Sequence, residues 1–67
     1  MAKHMSKTLA AEIAGRTMEV TNPANRAMAL AATLRRHGFD AGLANAAPIA
    51  ERAALQAWLQ ATFASKV

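Results

Sequence analysis

The chain has 67 residues, of which 54% are hydrophobic and 18% charged, with a formal net charge of +4. That length holds one small domain and no second, and the apolar share is too high for an ordinary disordered tail. With no cysteine, neither a disulfide framework nor a thiolate zinc site is possible.

Most of the hydrophobicity is small: 19 alanines stand beside 17 larger apolar side chains. Lys3 and Lys7 make the N-terminus basic, but Glu12 and Arg16 interrupt the apolar run a signal peptide needs, so a cytoplasmic location is expected. The longest uncharged stretch, residues 53–65, is too short to span a membrane and contains Gln56 and Gln60. Residues 1–5, with His-Met before a second methionine's sequence, are read as a disordered or cloning-derived leader, and residues 6–67 as a single helical domain.

The first helix is expected over residues 6–19. Met5, Leu9, Ile13 and Val20 fall within a narrow arc at about 100° per residue, and Glu12, Arg16 and Glu19 share one side at the spacing of exposed salt pairs. Gly15 weakens this helix by about 1 kcal/mol relative to alanine. Residues 17–21 are the least defined, because Thr and Val also suit extended backbone.

The second helix, residues 23–37, has the best-marked ends. Asn22 suits the N-cap and Pro23 the first helical position, where a missing N–H costs nothing. Arg35, Arg36 and His37 oppose the negative end of the helix dipole. Gly38 tolerates the left-handed conformation of a Schellman closure, which predicts contact between Leu34 and Phe39. The linker 40–47 has room for one extra turn capped by Asp40. The third helix is expected over residues 48–65, starting near Pro48.

The third helix has two apolar faces. With Leu55 as origin, Leu59, Phe63 and Trp58 lie within about 80° of it, forming a face of large side chains for the core. With Ala57 as origin, Ala50, Ala53, Ala61 and Ala64 lie within about 40°, forming a second stripe on roughly the opposite side. Alanine on an exposed face is also just a cheap helix former. Here, however, the charges stand only at the helix ends, at Glu51, Arg52 and Lys66. A helix apolar nearly all round is normally buried, and small side chains let two helices approach closely. A chain this short covers one such face but hardly both. The expectation is therefore an all-α, compact three-helix domain that self-associates through its C-terminal helix, as a homodimer or with a protein partner.

The remaining residues exclude chemistry more than they suggest it. His4 and His37 are the only histidines, the four carboxylates are scattered, and no glycine-rich phosphate loop is present. No catalytic residue, metal, cofactor or small-molecule substrate is expected. The third helix lacks the Lys/Arg face of a membrane-surface helix. The cations Arg26, Arg35, Arg36 and His37 offer an alternative, a small basic nucleic-acid-binding regulator using the second helix. The plainer view is that Arg35, Arg36 and His37 stabilise a helix end and that Arg26 is a solvated first-turn residue. The linker after Gly38 is too long for the turn of a helix-turn-helix.

The pairing of His37-Gly38-Phe39 with a later Ala57-Trp58-Leu59 is similar to small three-helix ubiquitin-binding domains. The segment between is too short for their middle helix, so nothing is carried over. The preferred expectation is a non-enzymatic interaction module of antitoxin, anti-activator or inhibitor type.

Overall fold

Serine and asparagine side chains start the first two helices. In the computed structural model, which describes residues 4–64, α1 spans Lys7–Met18 and α2 spans Pro23–Arg36. Ser6 Oγ accepts from the Leu9 N–H at 3.1 Å, and Asn22 Oδ1 accepts from the Ala24 N–H at 3.0 Å. Each side chain satisfies an N–H that has no partner within its own helix. A 3₁₀ helix follows over Ala41–Ala46, capped by Asp40 Oδ1 accepting from the Gly42 N–H at 3.0 Å. The last helix, α3, spans Arg52–Thr62. The fold is all-α, as expected.

The end of α2 is the Schellman closure that Gly38 predicts. Gly38 has φ 84°, its N–H donates to Arg35 O at 3.1 Å, and the Phe39 N–H donates to Leu34 O at 2.8 Å. Phe39 is thereby turned inward, onto the core, where its ring lies 5.0 Å from that of Phe63.

Two sets of contacts fix the arrangement. At one end, the Met5 N–H donates to Phe63 O at 3.1 Å, so the start of α1 meets the end of α3. At the other, the Arg52 guanidinium lies over Gly15, so the start of α3 meets the later turns of α1. The two helices are antiparallel. A short connection returns the chain through α2 along another flank of α1, and the 3₁₀ helix packs on α2 before the chain crosses to α3. Among the three α-helices the close backbone approaches are those of α1 with α2 and with α3; α2 and α3 make none with each other.

The core is Met5, Ala10, Ile13, Ala14, Leu30, Leu34, Phe39, Ala44, Leu55, Leu59 and Phe63. Buried Thr17 is satisfied within its own helix, its Oγ1 donating to Ile13 O at 2.8 Å. Glu12 and Arg16 pair at 3.6 Å on the exposed side, at the expected four-residue spacing. Such a pair contributes little in water.

Three expectations are corrected. Met5 is not disordered but part of the core, since it is 1% exposed and its N–H is bonded to the end of α3; residues 1–3 lie outside the described residues. The first helix ends at Met18, one residue before the expected Glu19, and Val20, expected on its apolar arc, is half-buried in the connection. The third helix starts at Arg52, four residues after Pro48, and ends at Thr62; Ser65 and Lys66 lie outside the described residues.

The segment before α3 is tied to a distant part of the chain. Arg26 at the start of α2 donates through Nη1 to Ile49 O at 3.0 Å, and through Nε and Nη2 to Val20 O and Met18 O. In a helix begun at Pro48, the Ile49 carbonyl would accept from the N–H four residues on. Here the guanidinium bonds to it, together with carbonyls at the end of α1.

Three substitutions test these assignments by thermal and urea unfolding. Gly15→Ala places a β-carbon 3.6 Å from Arg52 Nη2, an ordinary contact, and removes backbone freedom from the unfolded chain. A gain of about 1 kcal/mol is expected. Gly38→Ala, at φ 84°, should cost about 1–2 kcal/mol; a loss at Gly15 or a gain at Gly38 would contradict the fold. Arg26→Ala should cost about 2 kcal/mol or more. Arg26→Lys should recover little of that, because an ammonium cannot reproduce the three-way fork; full recovery by lysine would contradict the clasp.

Candidate functional site

The two faces of α3 have different surroundings. Leu55 and Leu59 are fully buried and Phe63 is 8% exposed, so they form part of the core. Trp58 is half-buried at the margin, its ring edge-on to Phe63 with centroids 6.1 Å apart. The face of large side chains is therefore the one that docks α3 on the rest of the protein.

On the other side, Ala53, Ala57 and Ala61 are exposed at successive turns of α3. Ala50 and Ala64 are exposed too, but they lie in the chain just before and just after the helix. The five expected positions are thus all at the surface, and three of them make a continuous helical stripe. Ala54 and Gln60 border it, both half-buried. From Ala53 to Ala64 there is no charged side chain; Glu51 and Arg52 stand at the N-terminal end. A surface of methyl groups has no donor, acceptor or titratable group for catalysis or ligation. Its available chemistry is close packing against another apolar surface.

The four cations of the alternative reading are not one face. Arg26 is half-buried and bonded to three carbonyls, contrary to the view of it as a solvated first-turn residue. Arg35 and Arg36 are exposed in the last turn of α2, and His37 is the half-buried C-cap. The pair Arg35 and Arg36 remains at the surface near the negative end of the α2 dipole.

One surface residue was not singled out by sequence reasoning: Met28 of α2, 72% exposed. Its signal is positional, since Met28 falls on the side of α2 opposite Leu30 and Leu34 at about 100° per residue. Leu43 in the 3₁₀ helix is 40% exposed.

Among the described residues, no group of three or more His, Asp or Glu is placed to hold a metal ion. Among them also, no helix is long and apolar enough to cross a membrane. In comparisons with known proteins, no family model, curated protein or solved structure matches the chain.

Proposed function

We propose that this chain is a non-enzymatic, cytoplasmic interaction module that pairs with a second copy of itself through the outer face of α3. On this reading it acts by binding and modulating a larger protein, as an antitoxin, anti-activator or inhibitor does. The observation that carries the reading is the uncharged stripe of Ala53, Ala57 and Ala61, exposed in the single chain. An exposed helix face normally carries lysine or glutamate, and covering this one removes apolar surface from water with little side-chain entropy to lose. The nucleic-acid alternative retains Arg35, Arg36 and His37 but must do without Arg26, which is bonded within the fold.

Light-scattering mass with the Ala57→Glu variant tests the pairing. Ala57 is exposed in the single chain, so glutamate there should leave helix content unchanged by circular dichroism. The parent should have the mass of two chains at micromolar concentration, corresponding to an association free energy of about 8 kcal/mol or more. The variant should have the mass of one, because a carboxylate buried at an apolar contact is strongly unfavourable. A parent with the mass of one chain, or a variant that still pairs, refutes the reading.

A further inference from the structure

We propose that the outer face of α2 is a separate docking surface whose occupant is an acidic amphipathic helix of another protein. This rests on the interaction-module reading but uses a different helix from the self-pairing face.

The surface is defined by exposure and by charge. Ala24, Met28 and Ala32 are exposed at successive turns of α2 and make a ridge, with Met28, at 72% exposure, its highest point. The ridge ends at Arg35 and Arg36, both exposed and neither ion-paired among the described residues. No Asp or Glu occurs in α2. The next acid along the chain, Asp40, has its carboxylate capping the 3₁₀ helix. The helix itself therefore contributes Ala24, Met28, Ala32, the polar Asn25 and the two arginines to this face, and no acid.

The charge selects the partner. A side-chain ridge at four-residue spacing fits the groove of a second helix, and methionine adapts its shape to the surface it meets. Two guanidiniums at the end of the ridge match carboxylates on the partner, to which arginine binds through paired hydrogen bonds. Nucleic acid fits less well, because two cations neutralise few phosphates and a protruding methionine adds nothing to a phosphate contact. An anionic membrane also fits less well: two cations attract it only weakly, and the ring cluster of Phe39, Phe63 and Trp58 is built at the end of α3, not on this face.

The probe is a labelled helical peptide of roughly 18 residues, with leucine at four- and three-residue spacing and glutamate beside it. Its fluorescence anisotropy is titrated with the full chain. Saturable binding in the micromolar range is expected, weakening as salt rises. Met28→Glu and the double variant Arg35→Gln/Arg36→Gln should each weaken binding about tenfold or more, equivalent to about 1.4 kcal/mol. Circular dichroism checks that both remain folded. Ala57→Glu should bind the peptide as the parent does, whatever its mass, which separates this inference from the self-pairing reading. The inference is overturned by absence of binding, by equal binding of a scrambled peptide of the same composition, or by insensitivity to Met28→Glu. Tighter binding of duplex DNA or of phosphatidylserine vesicles through Arg35 and Arg36 overturns it as well.

Discussion

Antiparallel docking of α3 on α1 is the constraint from which the rest follows. It is closed at one end by the bond from the Met5 N–H to Phe63 O, and at the other by Arg52 lying over Gly15. With α2 packed on α1, the one close backbone approach of α3 to another helix is that with α1. A helix with one close helical neighbour buries one side. Leu55 and Leu59 take that side, and the helical period then turns Ala53, Ala57 and Ala61 outward. The bare stripe is the geometric counterpart of the well-filled core, and both arise from the same docking.

Alanine serves two purposes in this small protein. In α1, Ala10 and Ala14 are fully buried, where a small side chain lets neighbouring elements approach closely. In α3, Ala53, Ala57 and Ala61 face outward. Composition does not separate these uses; position relative to Ile13 in one helix and to Leu55 and Leu59 in the other does. Arg26 similarly departs from what its type suggests. Its charge adds to the basic balance of the chain, but its hydrogen bonds hold the end of α1, the start of α2 and the approach to α3 together. The surface field of α2 is left to Arg35 and Arg36, which is why its outer face ends in cations while the clasp lies beneath.

What was legible in the sequence depended on local chemistry. The limits of α2 follow from Asn22, Pro23 and Gly38, each of which acts within a few residues along the chain. The cap of the 3₁₀ helix by Asp40 is local in the same way. The two-sidedness of α3 is a matter of period alone; of the expected core face, Leu55, Leu59 and Phe63 are buried and Trp58 is half-buried at the margin. The start of α3 differs from the expected Pro48 because a proline suits a first turn wherever it stands, and the chain before Arg52 is held partly by Arg26, 23 positions before Ile49. Met5 shares the apolar arc of the first helix, but that its backbone is held by Phe63, near the other end of the chain, is not a local signal. The burial of Ala10, Ala14 and Thr17 was likewise hidden, since none is large enough to mark a core face by hydrophobicity. The exposed ridge centred on Met28 needed the orientation of α2 to be known first.

The central claim is that the outer side of α3 is covered in solution by another copy of the chain. Its most direct test is the effect of a soluble paramagnetic agent on the methyl signals of Ala53, Ala57 and Ala61, recorded over a dilution series. The account predicts that these methyls are shielded at high protein concentration and become accessible on dilution, while the methyls of Leu55 and Leu59 stay shielded throughout. Alanine methyls that are fully accessible at every concentration would contradict it.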